Sequence, residues 1–122
     1  MRRAINIPSP TGGSLRTEAI VVSDHMGVTW RPAAAVYDAA TGRPSVNGAM
    51  SMPGFNAVLL AEGVFIGPPV DDKYEALCIA NGLARAIDWG NWRQDIARTT
   101  RDVKAWLAQW RDAGGWLGDA RT

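Results

Sequence analysis

Cysteine is almost missing from this chain. Cys78 stands alone, so there is no intrachain disulfide and no thiol cluster for a structural zinc, which needs about four ligands. The cytosol, a reducing compartment, is the simplest setting for such a composition. Histidine is as scarce: His25 is the single imidazole, which leaves little for acid–base chemistry near neutral pH. Glutamate occurs at Glu18, Glu62 and Glu75 only, and two of these have simple uses, as a strand-edge charge and as a helix-cap partner. Lysine is confined to Lys73 and Lys104, against eleven arginines. Arginine suits bidentate pairing and stacking, but a GC-rich genome enriches Arg, Ala and Gly together, so the excess points only weakly to function.

Long hydrophobic runs are missing too. The strongest, "AVLLAEGVFIG", is broken at Glu62-Gly63 and is too short to cross a bilayer. "MRRAINIPSPTGG" opens on two arginines but has no apolar core, so no secretory leader is expected. "TGGS" lacks the Lys-Ser/Thr of a phosphate-binding loop and reads as a linker. Asp24, His25, Asp71, Asp72 and Cys78 never fall at ligand spacing on one helix, so neither a metal nor a cofactor is expected. The Asp24-His25 pair invites a general-base reading with Ser51 as nucleophile, but sequence neighbours in a turn point apart, and "AMSMPG" is not a nucleophile elbow. The expectation is a protein that is not an enzyme, with a small-molecule site or enzyme centred on His25 kept as a distant alternative.

What is present is an ordinary folding composition. Hydrophobic residues make up 47% and charged residues 20% of 122 residues, enough for one core in one domain. That domain is expected over 1–122, with a flexible loop at 8–16 and a flexible tail at 118–122. Thirteen Lys or Arg face twelve Asp or Glu, a balance that argues against a general polyanion binder.

The first half reads as strands and turns. "AINI", "TEAIVVS" and "GVTW" are β-rich runs, with Asp24-His25 in a turn. Residues 32–42 fit either a helix begun by Pro32 or a hairpin, "AAVY" returning through "DAATG" to "RPSV"; the turn chemistry of Asp38 and Gly42 favours the hairpin. "GAMSMPGF" reads as a loop, and "AVLLA" and "VFIGP" as paired strands stopped by Pro68-Pro69.

The second half is helical. Asp72 with Glu75 three residues on has the spacing of a capping box, starting a helix over about 72–89 with Leu77, Ala80, Ala84 and Ile87 on one face. Gly82 inside it costs about 1 kcal/mol relative to alanine, a cost that close approach to another element would offset. Gly90 as left-handed cap and Asn91 as N-cap, with Gln94, predict a second helix over about 92–113, stopped by Gly114-Gly115. In it Trp92, Ile96, Thr99, Val103, Trp106 and Trp110 form one stripe.

The fold class expected is therefore α+β: an antiparallel sheet from residues 4–67 covered by two C-terminal helices. The stripe is expected to pack inward first. The function expected is a small cytosolic binding or inhibitory protein that works through contacts with a protein partner or with itself. Met50, Met52 and Phe55 in the loop, and Trp116 beyond the helix stop, are its candidate contact residues, because aromatics and adaptable methionines dominate interface hot spots. Small motif-poor chains of this kind are common on phages and other mobile elements, an analogy of size only. The alternative is a nucleic-acid binder using Arg93, Arg98, Arg101 and Lys104 on the Trp-rich helix, although Asp95 and Asp102 interrupt that positive field. No membrane contact is expected.

Overall fold

The computed structural model describes residues 1–8, 13–32, 34–35, 50–51 and 53–114, and only the backbone at 34–35 and 50–51. Its class is α+β. Strands β1 (Arg2–Pro8), β2 (Ser14–Val21), β3 (Met26–Arg31), β6 (Gly54–Leu59) and β7 (Val64–Val70) form an antiparallel sheet in the order β1-β2-β3-β6-β7, while β4 (Ala34–Ala35) pairs with β5 (Met50–Ser51). Helices α1 (Lys73–Ala86) and α2 (Ile96–Asp112) follow, with a 3-10 turn at Trp92–Asp95 between them.

Alternation along the strands divides two apolar faces. Met26 and Val28 of β3 and Ala57 and Leu59 of β6 face α1 and meet Ala76, Ile79, Ala80 and Leu83. Ile5, Ile7, Ala19, Val58 and Leu60 form a second cluster on the opposite face. The sheet curls over that second cluster. Gly63, in the β6–β7 turn at φ +69, lies directly against the backbone carbonyl of Asn6 in β1, an edge strand on the far side of the sheet.

The strands run longer than the sequence pattern suggests. Pro8 and Ser14 to Arg16, expected in a flexible loop, extend β1 and β2 in a continuous register from Arg2↔Ile20 to Pro8↔Ser14. The polar and apolar residues there alternate too weakly to read as strand, but pairing with each other satisfies their backbones. Pro68-Pro69 does not stop the sheet either. β7 is an edge strand, where a residue without N–H is tolerated, and the prolines sit in a bulge: Phe55 pairs with Val70 and Ala57 with Ile66, so Asn56 alone opposes Gly67, Pro68 and Pro69.

In that bulge the part-buried carbonyls of Ile66 and Gly67 turn toward Asn56, which supplies the donor. Its fully buried side-chain Nδ2 donates to the carbonyls of Ala57 and Ile66, each at 3.0 Å, and of Gly67 at 3.3 Å. A buried carbonyl left without a partner costs about 1–3 kcal/mol. One asparagine therefore makes the two prolines compatible with a sheet.

In α1 the Asp72 carboxylate accepts from the Tyr74 N–H at 2.7 Å, so Asp72 is the N-cap, but its donor is not Glu75 and the reciprocal bond of a capping box is not among those formed by the described residues. The buried line is Ala76, Ile79, Ala80 and Leu83, rather than Leu77, Ala84 and Ile87, which pack partly buried around the core. The helix also stops earlier than 89. Ile87 is extended (φ −128), and Trp89 turns back so that its buried indole Nε1 donates to the Leu83 carbonyl at 3.0 Å. The same carbonyl accepts from the Ile87 N–H at 3.3 Å, so the indole adds a second donor at that helix end.

Gly90 is not among the positive-φ glycines. The Asp88 carboxylate instead accepts from the Gly90 N–H at 3.0 Å and from the Asn91 amide at 2.9 Å. That Asn91 hydrogen bond first, then the Gly90 N–H and the nearby His25 charge, holds the exposed Asp88 carboxyl below its ordinary range. Asn91 makes no side-chain cap bond. The α2 cap is Asp95, which accepts from the Arg98 N–H at 3.0 Å, because the 3-10 turn takes the residues expected to open the helix. Gly114, at φ 96, ends α2 as expected.

Gly82 has the neighbour its position implied. A Cβ there would fall on the ring of Trp106, so α1 and α2 touch at this point. Gly82→Ala gains about 1 kcal/mol of helix propensity but forces the Trp106 ring away, at about 1–3 kcal/mol. The ring is backed by Trp110, stacked at 6.3 Å, so overpacking wins. We expect a net loss of up to about 2 kcal/mol in urea unfolding, with a red-shifted tryptophan emission; a stabilised variant with unchanged emission would contradict the contact.

Candidate interaction groove

The stripe on α2 does pack inward, yet incompletely. Trp92, Val103, Trp106, Leu107 and Trp110 all lie against the core, but no residue of α2 is fully buried, and Ile96 is 56% exposed. The reason lies in the sheet order. α1 covers β3 and β6, so α2 lies beyond it, against the outermost strand β7, with no described strand to span the remaining width.

Between α2 and β7 this leaves an apolar groove of about 510 Å³. Phe65, Ile66, Trp89, Trp92, Val103 and Leu107 line it. Two contacts fix its length. At one end, Arg93 in the 3-10 turn pairs with Glu62 in the β6–β7 turn at 3.7 Å, beside the start of β7. Farther along, Leu107 lies within 4 Å of where a Cβ on Gly67 would be. The helix and strand thus run alongside each other in the same direction. Among the described residues, the only charged groups lining the groove are Lys104 and Arg111, both exposed on α2, and neither is in an ion pair.

The residues singled out from the sequence are dispersed. Met50 is in β5, paired with Ala35, rather than in a loop, and its side chain, like the whole of Met52 and Trp116, lies outside the described residues. The tail at 118–122 and most of the proposed 32–42 hairpin lie outside them as well; of that hairpin's first arm, Ala34 and Ala35 are described, and they pair with Ser51 and Met50. Phe55 is in β6, not a loop: it pairs with Trp30 across the ladder and makes an edge-to-face contact at 5.0 Å. Trp30 is half exposed, so this pair forms a second, smaller apolar ledge.

The basic residues are partly neutralised. Arg93 is shared between Glu62 and the face of the Trp92 ring, 5.2 Å away, and Arg98 pairs with Asp102 at 3.9 Å at the i,i+4 spacing read from the sequence. Arg101 and Lys104 are exposed. His25 is exposed in the β2–β3 turn. At the start of α1, burial first, and then the charges of Asp72 and Asp71, push the Glu75 carboxyl above its ordinary range. Among the described residues no group of three His, Cys, Asp or Glu could hold a metal ion, and no helix is long and apolar enough to cross a membrane.

Sequence reasoning missed the β7 half of the groove. A signal was there: "VFIGPPV" joins an apolar strand to two prolines, which marks an edge strand. Comparison with protein-family models, with curated proteins and with solved structures finds no match to this chain, so the groove and its two neighbouring cations stand as the guide to function.

Proposed function

We propose that this protein is a non-catalytic binding module that engages a protein partner through the groove between α2 and β7. The observation that carries the reading is the half-covered stripe: α2, with Ile96, Val103 and Leu107 on one side, has no fully buried residue. Apolar surface left accessible in a concave site is the usual signature of a contact. The Trp30–Phe55 ledge is a separate feature and serves as the control.

Ile96→Asp is the test. The side chain is over half exposed, and an acidic residue in the first turn of a helix is favourable by a few tenths of a kcal/mol, so the variant keeps its fold. Partners recovered from the native host by wild type should be lost by Ile96→Asp and kept by Trp30→Asp, the exposed half of that ledge. Equal recovery by wild type and Ile96→Asp refutes the groove. A DNA gel shift that weakens steeply with salt and needs Arg101 and Lys104 would instead favour nucleic-acid binding.

A further inference from the structure

Resting on that reading of the groove, we infer that its occupant is an extended protein segment that adds a strand to the outer edge of β7, with apolar side chains at alternate positions and a carboxylate at the Gly67–Pro68 end. Three observations converge on this chemistry. β7 is the last strand in the sheet order, and the ladder on its inner side is with β6. No described strand pairs with its outer side, so the backbone groups of Val64 to Ile66 that point outward are open to a further strand. Pro68 and Pro69 have no N–H to offer, which confines strand addition to that first part of β7.

The second observation is the lining. A strand laid along β7 turns every other side chain toward α2, where Trp92, Ile96, Val103 and Leu107 receive apolar groups. Side-chain pockets then select among segments while main-chain bonds supply the general affinity. The third is charge. Lys104 and Arg111 are seven residues apart on one face of α2, and among the described residues no Asp or Glu lines the groove and neither cation is paired. Leu107, which lies beside Gly67, sits between them in sequence, so both cations are placed at the Gly67–Pro68 end. A carboxylate arriving there meets two unpaired cations, and a lysine meets repulsion.

The test uses the full chain and blocked, fluorescently labelled peptides. One has leucine and valine at alternate positions, threonine between them, and two aspartates at each end, so that either strand direction brings carboxylates to Lys104 and Arg111. A twin carries lysines in place of the aspartates, and a third has N-methyl groups on the amides of one edge. By anisotropy at low salt the aspartate peptide should bind about tenfold more tightly than either of the others. The double variant Lys104→Glu with Arg111→Glu, both exposed positions, should reverse the preference between aspartate and lysine.

Equal binding of the aspartate and lysine peptides overturns the charge assignment, and equal binding of the N-methylated peptide overturns strand addition; either leaves the groove itself standing on the Ile96→Asp result. No binding by any peptide overturns the inference. Binding that appears only with Trp116→Ala also overturns it, by identifying the 115–122 segment of this chain as the occupant.

Discussion

Asn56→Leu should lower the unfolding free energy by about 2–4 kcal/mol, with an unchanged denaturant slope. The substitution keeps the number and branching of side-chain heavy atoms and adds apolar surface, worth up to about 2 kcal/mol if fully buried. Against that stand the carbonyls of Ile66 and Gly67, which lose the Nδ2 donor at 3.0 and 3.3 Å, each at about 1–3 kcal/mol, and the Arg31 guanidinium, which loses the Oδ1 acceptor at 3.5 Å. Arg31 is also held 5.1 Å from the Phe65 ring, so the loss reaches the lining of the groove.

Asn56→Asp separates donor loss from packing. At neutral pH it places a carboxylate against three carbonyls with no proton to give, which is worse than leucine. Its folded pKa would be raised, so the sign is clear: the variant is relatively most stable below the unfolded aspartate pKa, and loses stability as pH rises through the raised folded value. Urea titrations at two pH values check both. If the leucine variant loses less than about 0.5 kcal/mol, within the range of an ordinary surface change, the bulge does not depend on this side chain.

Gly63→Ala is the second large effect, an expected loss of about 2–5 kcal/mol. Part of it, about 1–2 kcal/mol, is the left-handed backbone at φ +69. The rest is steric: the added Cβ would fall on the Asn6 carbonyl, which is backbone and cannot swing aside as a side-chain end does. Gly13 supplies the control. It has nearly the same φ, +71, but no neighbouring atom within 4 Å of a Cβ, so Gly13→Ala should show the backbone contribution alone. The difference between the two variants in thermal unfolding measures how firmly the sheet is curled onto β1. Equal losses would mean that the β6–β7 turn can lift away. Because Glu62 in that turn holds Arg93, a lifted turn would also loosen the end of the groove where β7 begins.

Much of the secondary structure was legible because its signals are local. Asp72 capped the first helix, though through the Tyr74 N–H and not through a box with Glu75, Gly114 ended the second, and the "GVTW" and "AVLLA" runs became β3 and β6. Gly82 was legible as a point of close approach, since a glycine in mid-helix needs some compensation; that the neighbour is Trp106 was not, because that contact joins two helices. The choice between Asn91 and Asp95 as N-cap was not legible either, since both have the right side chain and the outcome depends on how Trp89 folds back onto Leu83.

The candidate site was read least well, for a physical reason. Sequence periodicity identifies which side of α2 is apolar, but not how wide a surface lies opposite it. Met50 and Phe55 looked like loop anchors because neither helix nor strand period reached them, whereas ladder pairing with Ala35 and Trp30 makes both parts of strands. By itself, the sequence determined that this is an α+β chain with two helices after a sheet, that Trp106 and Trp110 share one face of the second helix, and that it is poor in catalytic and metal-binding residues. Only the tertiary structure decided that β7 is an edge, that one buried asparagine lets two prolines stay in it, and that α2 sits against that edge with its stripe half covered. Those outcomes depend on which strand lies beside which, a property of long-range pairing that no local pattern of residues encodes.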